Sequence, residues 1–132
     1  MGGDLIDLLV GAALVSAGAF VGTPLRFYVG RVVSACVGET FPWGTLVVNV
    51  SGCLVMGVVA AHAKGHGFSS NSQYWLLLAT GFLGSYTTVS SFALQTLALA
   101  RTGETRFAAG YIVLSVGLCL GAVWLGFAGG LT

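Results

Sequence analysis

Nine charged residues divide this chain, and the distances between them leave little freedom in what it can become. The acids are Asp4, Asp7, Glu39 and Glu104, and the bases are Arg26, Arg31, Lys64, Arg101 and Arg106. The uncharged runs between them cover residues 8–25, 40–63, 65–100 and 107–132, which are 18, 24, 36 and 26 residues long. A helix needs about 20 mostly apolar residues to cross a hydrocarbon core about 30 Å thick. Four such helices fit, joined by short loops, with no room left for a soluble domain. Only 7% of the residues are charged, against about 25% in a soluble domain, so the chain has no adequate polar coat for water. The first run could be taken for a secretory signal, but such a signal opens with positive charge. Here Asp4 and Asp7 lead and no base accompanies them, which predicts a retained first helix.

The expected class is therefore an all-α integral membrane protein, multi-pass in the cell membrane, with one domain over residues 1–132. Its helices are expected at about 5–33, 43–63, 74–100 and 106–130, with interfacial aromatics such as Trp43, Tyr74 and Trp75 near their starts. Gly22, Thr23 and Pro24 predict an interruption of the first helix, because proline lacks a donor and its ring clashes with the preceding turn. That places a kink near Phe20. Gly38 to Pro42 form the first loop, Gly65 to Ser72 the second, and Arg101 to Arg106 the third.

Most of the 21 glycines suit close helix packing in a membrane. The segment from Gly81 to Phe92 asks for more. Two glycines are followed by six residues rich in hydroxyls and β-branches, a poor composition for an uninterrupted helix. A break at that depth survives only where protein or a cavity satisfies the backbone, and freed carbonyls there can coordinate a cation. The alternative is an ordinary helix whose Ser and Thr side chains bond to the preceding turn.

No Asp, Glu or Lys lies deep in the second, third or fourth helix. Proton-coupled transport generally needs an ionisable residue there, and no nucleophile–base pair for an intramembrane hydrolase is present. Cys36, Cys53 and Cys119 lack metal-ligand spacing and read as small buried residues. His62 and His66 flank Lys64 without a third ligand, so they read as a solvated pair rather than a metal site. A net charge of +1 with no basic stripe gives nucleic acid nothing to bind. What remains are uncharged donors: Asn49 on the second helix, hydroxyls around Phe92 on the third, and Tyr111, Ser115 and Cys119 on one face of the fourth. Donors and a positive ring edge without fixed negative charge suit a small anion better than a cation. They also suit polar glue between packed helices.

The runs Pro42-Trp43-Gly44-Thr45-Leu46-Val47-Val48-Asn49 and Gly81 to Phe92, with Gly22 to Phe27 in the first helix, resemble the signatures of the Fluc (CrcB) fluoride channels over essentially the whole chain. The resemblance implies an antiparallel, dual-topology dimer with two fluoride pores and passive export of cytoplasmic fluoride. It also implies a central sodium ion, structural and not transported, on the backbone carbonyls of Gly84 and Thr87. Asn49 and Phe92 would line the fluoride path, with Thr88 and Ser91 as hydroxyl neighbours. Tyr111, Ser115 and Cys119 would continue it as a polar track, and Arg26 would sit near the vestibule. Three positions depart from the family's pattern. Val89 stands where a second phenylalanine is expected, Cys119 where a serine or threonine is usual, and Gln95 where an acid is common.

With four spans, Arg26, Arg31, Arg101 and Arg106 fall on one side and Lys64 on the other, and setting Arg26 aside as embedded leaves three against one. The positive-inside rule then places the termini outside. Such a bias, with the missing contacts at Val89 and Cys119, leads to an alternative in which the chain pairs with an oppositely oriented paralogue. A non-conducting interaction subunit is a further alternative. A small multidrug-resistance transporter requires a carboxylate inside the first helix, and residues 8–25 contain none.

Overall fold

The computed structural model describes residues 2–67 and 72–131. Ser69, Ser70 and Asn71 of the expected second loop lie outside the described residues. Among those described, all regular structure is helical. The elements are α1 (Gly2–Val37), α2 (Trp43–Gly65), α3 (Gln73–Trp75), a π-helical segment π1 (Leu76–Leu83), α4 (Gly84–Tyr86), α5 (Val89–Arg101) and α6 (Thr105–Gly129). They make four membrane-length spans, the third being Gln73–Arg101.

The first span differs from expectation. Helical structure continues through Pro24 without interruption to Val37. The missing donor of Pro24 affects the Phe20 carbonyl alone, and Gly22 next to it packs directly on Ser85 and Phe82, so contacts to the third span support α1 through the proline. The loops end helices as their composition predicts. Gly38, with φ 101°, follows α1, and Gly103, with φ 84°, follows α5. At Gly103 the N–H bonds the Ala100 carbonyl at 3.3 Å and the Glu104 N–H bonds that of Leu99 at 3.1 Å. This is a Schellman motif, which favours glycine at the left-handed position.

Two close pairings organise the spans: α1 runs along π1 and α4, and α2 runs along α6. Both are made where glycine removes the side chain. A Cβ on Gly18 would meet the Phe82 nitrogen at 2.6 Å, and one on Gly57 the Phe127 nitrogen at 2.6 Å. Backbones in this contact gain packing that lipid cannot replace. The protein core is accordingly small, with Val59, Ala79 and Leu83 at its centre and Met56, Tyr74, Trp75, Leu78 and Phe82 around it. Phe20, Val113 and Trp124 point outward, as apolar side chains do when the solvent is hydrocarbon. The protein is a multi-pass integral membrane protein of the cell membrane.

Candidate functional site: the break in the third span

The third span is broken at Thr87 and Thr88. Thr87 has φ −78° and ψ 161°, and Thr88 has φ −150° and ψ 120°, so both are extended between α4 and α5. Before the break, π1 is wider than an α-helix, a form often found at functional positions. Its last carbonyls are held locally: Ser85 Oγ donates to Phe82 O at 3.0 Å, and Thr87 Oγ1 donates to Leu83 O at 2.9 Å.

A side chain from another helix closes the break. Asn49, on α2, donates from Nδ2 to the Thr88 carbonyl at 2.9 Å and accepts from the Thr88 N–H on Oδ1 at 2.8 Å. Its Oδ1 thus takes the Thr88 N–H that an unbroken helix would direct to the Gly84 carbonyl. Thr88 then starts α5 in turn: its Oγ1 accepts from the Ser91 N–H at 3.2 Å and donates to Ser91 Oγ at 3.1 Å, the geometry of an N-cap. Gly52, one turn after Asn49, lets α2 come this close, with the Thr87 methyl and the Tyr86 ring against its Cα. Ser51 Oγ and Tyr86 OH add a hydrogen bond of 2.9 Å between the same two elements.

Arg26 reaches the break from α1, with Nη1 3.5 Å from the Thr87 carbonyl. That is at the outer limit of a hydrogen bond. It lines a cavity of about 630 Å³ together with Arg31, Glu39, Thr45, Thr88 and Gln95; Ser90 and Ser91 line it as well. Two arginines against one glutamate give this cavity a positive balance, and its other polar groups are neutral donors.

The aromatic side of the site lies on α5 and α6. The Phe92 ring packs on the Tyr111 ring, centroids 5.2 Å apart, and Phe41 meets Tyr111 edge-on at 5.3 Å. Tyr111 is fully buried and donates from its hydroxyl to Gln95 Oε1 at 3.1 Å. Ser115, one turn further on α6, is buried with no partner for its Oγ among the described residues. Cys119, another turn on, is half-buried.

The residues singled out in the sequence therefore form two groups. Asn49, Thr87, Thr88, Ser91 and Arg26 meet at the break, whereas Phe92 on α5 packs on Tyr111, with Ser115 and Cys119 following Tyr111 along α6. Gly84 and Val89 stand exposed on the two sides of the break, Val89 at 79%. Ser51, Tyr86, Thr45 and Ser90 belong to the site and were not singled out. Thr45 lies within the Pro42 to Asn49 run and Tyr86 and Ser90 within the Gly81 to Phe92 run, and Ser51 follows Asn49 by two residues. His62 and His66 lie at the end of α2, with His66 Nδ1 3.0 Å from the His62 carbonyl, remote from the break.

Comparison with known proteins places this architecture. The family profile described as CrcB-like protein, Camphor Resistance (CrcB), matches residues 13–127. The chain is 52% identical over 123 residues to a "Fluoride-specific ion channel FluC 2" of Rhodopseudomonas palustris, covering 92% of this chain and 94% of that one. It is 47% identical over 129 residues to a protein of the same name in Bradyrhizobium diazoefficiens, covering 96% and 93%. It is 43% identical over 116 residues to a "Fluoride-specific ion channel FluC" of Rhodospirillum rubrum, covering 87% and 90%. With its four spans and the break in the third, the chain belongs to the CrcB family.

Proposed function

We propose that this protein is a fluoride channel and not an enzyme, and that it lets cytoplasmic fluoride leave the cell passively. The observation that carries this reading is the identity of up to 52%, across more than nine-tenths of both chains, with a relative named as a fluoride-specific ion channel. The site agrees with it. A small anion needs N–H and O–H donors in a net positive surround, and Asn49, Thr88, Ser91 and Tyr111 supply such groups beside a cavity where Arg26 and Arg31 outweigh Glu39. A negative-inside potential drives the anion out with about 2.3 kcal/mol per 100 mV, so no coupled proton is needed.

The working unit is an antiparallel dimer. Gly84 and Val89 expose the break on the surface of a single chain, and non-helical backbone at bilayer depth is tolerated only when protein or a water-filled cavity covers it. A second subunit supplies that cover. The sodium ion fits the donors present. The carbonyls of Gly84 and Thr87 stand at the start of α4 and just past its end, where the helix breaks. In an unbroken helix their donors would be the Thr88 and Ser91 N–H groups, and these bond Asn49 Oδ1 and Thr88 Oγ1 instead. Two such carbonyls from each subunit would hold a hard cation without any acid. An ion there would offset the dipoles of these carbonyls, of which Thr87 O has, among the described residues, only the 3.5 Å contact from Arg26 Nη1, a structural and not a transported role.

Growth of a bacterium lacking its own fluoride channels, in fluoride-containing medium, tests the export reading. Cells expressing this chain are expected to grow. Equal sensitivity with and without the membrane-inserted protein would count against it.

A second reading is favoured by one asymmetry. Counting four spans along the chain puts Arg31, Arg101 and Arg106, with Arg26 deeper in the first span, toward one side and Lys64 toward the other. That bias favours a single orientation, and with it a partner that is an oppositely oriented paralogue supplying the aromatic contact absent at Val89. Reporter fusions at the C-terminus decide this. Signal from one side only supports the paralogue, and equal signal from both sides removes it.

A further inference from the structure

We propose that Asn49 is a positioning residue for the cation site: by capping the break from α2, it holds the Gly84 and Thr87 carbonyls away from their helical donors and so keeps them available to sodium. This rests on the sodium reading above and extends it to a residue that carries no ligand atom of the site.

The Thr88 peptide groups are the pivot. Thr88 is buried, and a buried peptide group must be bonded. Its N–H has two possible acceptors, the Gly84 carbonyl one turn back or the Asn49 side chain. It takes the side chain at 2.8 Å, and the Asn49 Nδ2 bond to the Thr88 carbonyl at 2.9 Å holds the amide in register. With Thr88 extended, its Oγ1 takes the Ser91 N–H, the donor that would otherwise close on Thr87 O. One side-chain amide thereby controls both carbonyls, the first directly and the second through the Thr88 cap. An asparagine amide has two N–H groups, and only one is used on Thr88. The second remains for the anion path, so the same side chain joins the cation site to the permeating ion.

Without Asn49, the lowest-energy repair is for the Thr88 N–H to return to Gly84 O, extending the helix across the break and withdrawing a sodium ligand. Simple polar glue between α2 and the third span behaves differently. Its loss lowers stability equally at every sodium concentration and does not change the concentration needed.

The test is the thermal stability of the purified full-length dimer in detergent, titrated with sodium against choline at constant ionic strength. The wild-type protein is expected to show a saturable rise. In Asn49→Leu the sodium midpoint is expected to increase at least about tenfold, from the loss of two part-buried bonds. Thr88→Val keeps the side-chain shape and removes the Oγ1 cap on the Ser91 N–H together with its bonds to the Ser90 and Ser91 hydroxyls, so it is expected to fold and to shift the midpoint in the same direction. Thr96→Val, which loses a bond to the Phe92 carbonyl of its own helix, is expected to keep the wild-type midpoint. A wild-type midpoint in Thr88→Val or in folded Asn49→Leu overturns the proposal, as does a uniform loss of stability with no shift. A wild-type protein indifferent to sodium overturns the sodium reading itself, and the proposal with it.

Discussion

The contact between Gly52 and Thr87 gives a perturbation whose sign and rescue both follow from the geometry. A Cβ at position 52 would strike the Thr87 methyl and lie 3.3 Å from Tyr86 Cδ1. Thr87 has little freedom to yield, because its Oγ1 is bonded to the Leu83 carbonyl at 2.9 Å and its N–H to the same oxygen at 3.0 Å. Gly52→Ala therefore either pushes α2 from the break or turns the Thr87 side chain off its bond. Overpacking of this kind costs about 1–3 kcal/mol, and a lost side-chain hydrogen bond adds about 0.5–1.5 kcal/mol. Thr87→Ser removes the obstructing methyl and keeps the hydroxyl. In the double variant most of the loss should return, giving a coupling energy of at least about 1 kcal/mol in a double-mutant cycle. The assay is unfolding of the reconstituted or detergent-held dimer in saturating sodium, with fluoride flux measured in parallel. Additive effects of the two substitutions, or an undiminished stability in Gly52→Ala, would refute the close approach of α2 to the break.

Further outcomes are expected elsewhere in the molecule. Gly126→Leu would drive its side chain into the backbone of α2, where a Cβ already meets the Leu54 carbonyl carbon at 3.0 Å and the Val58 nitrogen at 3.2 Å; dimer yield after extraction should fall to background, and normal yield would show that α2 and α6 do not pack on glycine. Tyr111→Phe keeps the ring contacts with Phe41 and Phe92 but loses the bond to Gln95 Oε1, so stability should fall by about 1 kcal/mol and fluoride flux should drop; unchanged flux would take the hydroxyl off the path. Gly103→Ala forces a side chain into φ 84° and should lower stability by roughly 1 kcal/mol while leaving flux intact, since the α5–α6 turn is remote from the break.

The parts of this structure that were legible in the sequence are those set by the solvent. Charges at Glu39, Lys64, Arg101, Glu104 and Arg106 delimit the spans because a membrane excludes them from its core, whereas Arg26 and Arg31 lie inside the first span, Gly3–Val37, and Arg26 reaches the break. The break was legible as a composition, Gly81 to Phe92, yet its position was not. Thr87 and Thr88 are chosen by Asn49, whose amide comes from 39 residues away, and local propensity carries no record of such a partner. The π-helical turn is equally silent, because its segment Leu76–Leu83 is shaped by the approach of Gly18 and Gly22 from α1. The unbroken helix across Pro24 shows the opposite case, a strong local signal overridden by packing on Phe82 and Ser85. The role of Asn49 was read as a donor to the anion path, and the structure gives it a backbone partner first.

Fluoride selectivity is the property on which everything above depends, and efflux from liposomes loaded with fluoride or chloride measures it directly. Vesicles carrying the purified dimer, of this chain alone or with its paralogue, are expected to release fluoride rapidly and retain chloride. Folded dimer that releases neither ion, or both at the same rate, would contradict the assignment of the Asn49–Thr88 break and the Phe92–Tyr111 track to a fluoride channel.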